Sequence, residues 1–126
     1  MKIEHIAIYY KELEKAKSFF SEYFGAAAGE LYLNEKTGFS SYFLTFENSS
    51  RLEIMNKPNV CEEENRPLGG LHHIAFSTGS REAVDSLTER LRQDGYPIVG
   101  EPRVTGDGYY ESVISDFEGN LIEITV

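Results

Sequence analysis

Apolar and polar residues alternate in four short stretches of the chain, and the stretches form two matching pairs. His5-Ile6-Ala7-Ile8 is echoed by His73-Ile74-Ala75-Phe76, and Arg51-Leu52-Glu53-Ile54 by Leu121-Ile122-Glu123-Ile124. A period of two with β-branched residues predicts strands whose successive side chains point to opposite faces. Ile6 and Ile8 therefore part from His5 and Ala7, and Ile74 and Phe76 from His73 and Ala75. Leu52 and Ile54 likewise oppose Glu53, and Ile122 and Ile124 oppose Glu123. The His-to-Glu separation is nearly the same in the two halves.

Between these stretches the period changes. From Lys11 to Phe24, Leu13, Ala16, Phe20, Tyr23 and Phe24 recur at three- and four-residue spacing and predict a helix that stops at Gly25. The Ala-Ala-Ala-Gly that follows reads as a connector. Strands are expected at 30–34, 39–47 and 51–56, with Lys36-Thr37-Gly38 and Asn48-Ser49-Ser50 as turns. Residues 57–70, with Glu62-Glu63-Glu64, two prolines and Gly69-Gly70, read as a polar linker. The second half repeats the plan: a strand at 71–77, Ser80 as helix N-cap, then a helix with Val84, Leu87, Thr88 and Leu91 inward. Gly95 ends that helix. Strands at 97–101, 108–116 and 120–126 follow, the last two joined by Asp116-Phe117-Glu118-Gly119-Asn120. The reading is α+β: one domain, residues 1–126, of two βαβββ modules (about 1–56 and 71–126), each with its helix on one sheet face.

Composition narrows the function classes. At 126 residues with 40% hydrophobic content the chain has the length and apolar share of an ordinary folded domain. A net charge of −9 excludes a general nucleic-acid binder, which needs clustered Lys and Arg against phosphates. Cys61 is the single cysteine, so no intrachain disulfide is available, and a cytoplasmic location is expected. No signal peptide is read before the first strand, and no apolar run approaches the length of a membrane span.

The repeated histidine and glutamate carry the chemistry. An unpaired carboxylate on an otherwise apolar strand costs several kcal/mol or protonates if it is buried. A divalent cation relieves that cost, and two carboxylates, two neutral imidazoles and M²⁺ sum to zero. His5, Glu53, His73 and Glu123 are thus candidate metal ligands. Mixed nitrogen and oxygen donors disfavour a soft cation and leave Ni, Co, Mn, Fe or Zn open. His72 reads as structural, because alternation turns it from His73 and Glu4 holds its place in the first half. The aromatic residues Phe39, Tyr42, Phe43, Phe46, Tyr109 and Tyr110 read as core or interface. Cys61, beside three glutamates, is a poor nucleophile.

These motifs resemble the vicinal oxygen chelate superfamily, the glyoxalase/bleomycin-resistance/dioxygenase proteins. They are His-Ile-Ala opening each half, Leu-Glu-Ile and Ile-Glu-Ile closing it, and Asp-Phe-Glu-Gly-Asn before the last strand. The resemblance covers the whole chain. It implies sheets curved around a metal cleft, a homodimer with sites at the subunit interface, and His5, Glu53, His73 and Glu123 as ligands. This set is similar to that of glyoxalase I (lactoylglutathione lyase). The resemblance then implies a lyase or isomerase working through an enediolate, with Glu123 as first choice of base and Glu53 as the symmetric second. The substrate would be a small oxygenated molecule such as a hemithioacetal of methylglyoxal, with glutathione or another thiol as co-substrate. An epimerase, a dioxygenase and a metal-free binding protein on the same scaffold are the alternatives. Arg103, in a segment 101–110 read as a loop able to close over a ligand, is a candidate partner for a carboxylate or phosphate. Asn56, Lys57 and Tyr109 are further candidate substrate contacts. The stretch Tyr9-Tyr10-Lys11-Glu12 lacks the arginine, and 101–110 the second basic residue, that glutathione-using members show.

Overall fold

The computed structural model describes residues 4–47, 50–58, 71–106 and 108–126. The expected Asn48-Ser49 turn, Cys61, the acidic triplet and most of the linker lie outside them. The chain divides into two compact units, Met1–Glu64 and Asn65–Val126.

In the first unit, β1 (His5–Tyr9) leads into α1 (Leu13–Phe24). The short β2 (Ala27–Ala28) and β3 (Tyr32–Asn34), then β4 (Phe39–Thr45) and β5 (Arg51–Asn56), follow. The sheet order is β1-β5-β4-β2, with β3 also paired to β4. The first strand runs parallel to the last, Ile6 opposite Leu52 and Ile8 opposite Ile54; β4 is antiparallel to β5, Leu44 opposite Leu52 and Tyr42 opposite Ile54. Paired residues share a face, so these six side chains form one apolar layer, and α1 covers it. Ala16, Phe19 and Phe20 of the helix and Leu44, Leu52 and Ile54 of the sheet are buried together. Each of the Phe, Leu and Ile side chains among them contributes about 1.5–3 kcal/mol on leaving water. Gly25 ends α1 at φ 66°, the left-handed turn that costs glycine nothing, and its N–H returns to the Phe20 carbonyl.

The second unit has β6 (His73–Ser77), α2 (Arg81–Gln93), β7 (Ile98–Val104), β8 (Tyr110–Ser115) and β9 (Leu121–Thr125), in the order β6-β9-β8-β7. Again the first strand is parallel to the last, with Ile74 opposite Ile122 and Phe76 opposite Ile124. Ser80 caps α2 through a bond from the Ala83 N–H, 3.2 Å. Val84, Thr88 and Leu91 are buried in the helix and Ile114, Ile122 and Ile124 in the sheet. The polar members of this core satisfy each other, Thr88 Oγ1 lying 2.6 Å from Ser112 Oγ.

The α+β architecture and the repeat are as expected; four local expectations change. The Ala-rich connector contains β2, whose pairing with Leu44 and Thr45 overrides its weak strand propensity. Phe19 joins the core, while Leu13, Tyr23, Phe24 and Leu87 are only half-buried. Residues 101–104 belong to β7, which shrinks the expected loop to a tight turn in which the Thr105 N–H reaches the Tyr109 carbonyl at 2.8 Å. β3, β4, β6, β8 and β9 are also shorter at their ends than the pattern suggested. Among the described residues no helix is long and apolar enough to cross a membrane.

Candidate metal centre

The alternation that buries Leu52 and Ile54 under α1 turns Glu53 to the other face. Ala7 stands opposite Glu53 on β1 and Phe43 opposite it on β4, so His5, one pleat from Ala7, shares this face. His5 Nε2 is 3.8 Å from Glu53 Oε2. The second unit repeats the arrangement: Ala75 and Val113 flank Glu123 in register, and His73 Nε2 is 3.5 Å from Glu123 Oε2.

Each carboxylate is largely covered and each imidazole reaches the rim. The side chains of Glu53 and Glu123 are 17% and 15% exposed, those of His5 and His73 36% and 38%. Both nitrogen-to-oxygen gaps exceed the usual hydrogen-bond range of about 2.7–3.2 Å. Two donors each about 2.1 Å from a common cation stand roughly 3.0–3.4 Å apart. The pairs therefore fit a divalent cation after a contraction of a few tenths of an ångström. Within either unit, among the described residues, no third His, Cys, Asp or Glu completes a cluster, so each unit supplies a two-donor pair.

The surroundings of the two pairs differ. His5 meets Phe43 edge-on, with ring centroids 5.2 Å apart at 87°. Arg51 lies over the same Phe43 ring at 4.3 Å and pairs with Glu4, and Glu4 in turn bonds His5 Nδ1. The bond from His5, and then Arg51, hold the Glu4 carboxyl below the usual carboxylate range. In the second unit Leu121 stands opposite His73 where Arg51 stands opposite His5, and Val113 replaces Phe43.

His72 is not turned away from His73 as alternation implied. It precedes β6, so strand alternation does not govern it, and its Nδ1 is 2.9 Å from Nδ1 of His73. Glu4 and His72 are thus the neighbours of the two candidate ligands that pattern reading did not single out; their common position just before each histidine was the available signal.

The candidate substrate residues fall in different settings. Arg103 sits on β7 opposite Glu111, and its Nη2 donates to Glu111 Oε1 at 3.3 Å. Two register shifts in β7 bring the guanidinium back over Gly100, which pairs with Val113 beside Glu123. Arg103 therefore belongs to the same sheet face as Glu123. Asn56 donates its amide to the Tyr10 and Lys11 carbonyls, 2.7 and 3.1 Å, bracing the exit of β1. Tyr109 is exposed at the β7–β8 turn. Lys57 lies over Tyr9, 4.9 Å from its ring centre.

Comparison with known proteins adds a family to this geometry. The family model described as Glyoxalase/Bleomycin resistance protein/Dioxygenase superfamily matches residues 2–124. The chain is 26% identical to an ethylmalonyl-CoA/methylmalonyl-CoA epimerase of Cereibacter sphaeroides, across 98% of this chain and 96% of that protein. It is 32% identical to the fosfomycin resistance protein FosX of Listeria monocytogenes, across 97% of this chain and 86% of that one. The solved structure of that FosX with Mn(II) and sulfate superposes with a TM-score of 0.75 at 23% identity, covering 99% of this chain and 91% of the other. The trypanothione-dependent glyoxalase I of Leishmania major gives a TM-score of 0.79 at 21% identity, over 99% of this chain and 86% of that one.

Proposed function

Because the chain belongs to the Glyoxalase/Bleomycin resistance protein/Dioxygenase superfamily, we propose that it is a divalent-metal-dependent lyase or isomerase of the glyoxalase I type. It acts on a small oxygenated substrate through an enediolate. The observation that carries this reading is the His–Glu pair repeated in each unit, Nε2 to Oε2 at 3.8 and 3.5 Å, on the sheet face that the helix leaves open. His5, Glu53, His73 and Glu123 are the ligands. Their mixed donors suit Mn, Fe, Co, Ni or Zn, and four ligands per ion give one ion per chain.

The bound cation supplies Lewis-acid polarisation of a substrate carbonyl. The residues do the rest. Glu123 takes the proton from the carbon beside that carbonyl and returns it to the neighbouring carbon, with Glu53 as the symmetric second base. Coverage of both carboxylates keeps water from competing for the proton. Arg103, held by Glu111 on the Glu123 face, pairs an anionic group of the substrate. Tyr109 lines the substrate from the β7–β8 turn, while Asn56 acts through the backbone it braces. The substrate is a hemithioacetal formed with glutathione or another thiol, and the working form is a cytoplasmic homodimer.

A second reading is an epimerase, which returns the proton to the opposite face of the same carbon. The relative named as an epimerase, aligned over 98% of this chain, favours it.

Elemental analysis followed by metal stripping and refilling with Ni²⁺, Co²⁺, Mn²⁺ or Zn²⁺ tests both. The expected result is roughly one ion per chain, with turnover of methylglyoxal plus a thiol. Turnover of an acyl-CoA thioester instead selects the epimerase. Less than about half an equivalent of every ion replaces both with a metal-free binding protein.

A further inference from the structure

An imidazole ligates through a nitrogen lone pair, so a histidine is a ligand only in the tautomer whose hydrogen sits on the other nitrogen. In both units the nitrogen facing the glutamate is Nε2, and in both the Nδ1 is engaged by the residue immediately before the histidine. Nδ1 of His5 bonds the Glu4 carboxylate, and Nδ1 of His73 is 2.9 Å from Nδ1 of His72.

We propose that Glu4 and His72 are positioning residues that hold His5 and His73 as Nδ1–H tautomers, leaving each Nε2 lone pair directed at Glu53 or Glu123. The inference deepens the metal-ligand reading and rests on it, since ligation is what gives the open lone pair its use. A carboxylate only accepts, so Nδ1 of His5 must carry hydrogen to bond Glu4. Between His72 and His73 one Nδ1 donates and the other accepts. Donation from His73 opens its Nε2; the reverse would place a hydrogen on Nε2 and close the position to a cation. His72 accordingly accepts through Nδ1 and carries its own hydrogen on Nε2.

The two halves are not equivalent in this respect. Glu4 is charged and itself fixed by Arg51, which rests on Phe43 against the His5 ring. Charge-assisted bonds are about twice as strong as neutral ones, so His5, bonded to a carboxylate, is held more firmly than His73, which bonds a second imidazole and has Leu121 opposite it in register. The duplicated fold therefore offers one strongly and one weakly supported histidine.

Nitrogen-15 NMR of the imidazoles in the metal-stripped full chain, above the histidine titration range, reads the tautomer directly. Both His5 and His73 are expected as Nδ1–H. His72→Leu should shift His73 toward Nε2–H, and His72→Asn, whose Oδ1 can accept in place of Nδ1, should keep it Nδ1–H. Glu4→Leu and Glu4→Gln form the matching pair for His5. Co²⁺ affinity, followed by absorbance, should fall about 10–100-fold in the two leucine variants and stay within about threefold in His72→Asn. Finding Nε2–H on His73 in the unmodified chain overturns the proposal, as does a His72→Leu variant with unchanged tautomer and affinity. A chain that shows both Nδ1–H tautomers yet takes up no divalent ion refutes the metal reading instead, and the nitrogen spectra alone then decide the positioning role.

Discussion

Arg103 depends on the absence of a side chain at Gly100: one guanidinium nitrogen stands 2.7 Å from where a Cβ would lie. Gly100 has no left-handed backbone to preserve, and the next neighbour, Val113 Cβ at 3.5 Å, is ordinary contact. Gly100→Ala should therefore be nearly neutral for folding while it pushes Arg103 off Glu111. If Arg103 binds the substrate anion, Gly100→Ala and Arg103→Ala should each raise KM about tenfold or more, the loss of one charged hydrogen bond. Steady-state kinetics on the substrate found in the refilling assay checks this; an unchanged KM in both variants removes Arg103 from the site.

Glutamate and histidine divide the site's work differently. Glu123→Gln at saturating metal should lower kcat by about 10²–10⁴, the usual contribution of a positioned base. His73→Ala should instead release the ion, seen by elemental analysis after dialysis. Full turnover by Glu123→Gln would move the base role to Glu53.

A pH-dependent contribution ties α2 to β7. Arg92 forks onto Glu101 through two bonds of 3.0 and 2.6 Å, and these hold the Glu101 carboxyl below its ordinary value. A lowered folded value means the stabilisation is complete above the unfolded carboxylate pKa of about 4.3 and fades as pH falls through the lower folded value. Thermal melts of Glu101→Gln should thus sit slightly below wild type at pH 7 and converge with it in acid. Both partners are exposed, which keeps the effect small and sensitive to salt.

Phe20 is fully buried between α1 and the first sheet, edge-on to Tyr10 with ring centroids 6.2 Å apart. Phe20→Ala should cost about 3–5 kcal/mol by the cavity it leaves, measured by denaturant unfolding.

The strands that hold the site were legible because their burial is one-sided: the His5–Tyr9 and His73–Ser77 patterns both alternate as the sequence implied. What was not legible depends on neighbours distant in the chain. Ala27 and Ala28 become a strand only because β4 offers them an edge. Arg103 reads as a loop residue until the β7 register shifts fold it over Gly100. His72 was misplaced by a rule of alternation that holds only inside a strand, and it stands one residue outside.

In each unit the histidine lies on the first strand and its glutamate on the last, and those two strands are adjacent. A ribosome must therefore finish the module before its donor pair can exist. Chains that stall, are clipped, or lose a terminal strand would carry the histidine without its carboxylate.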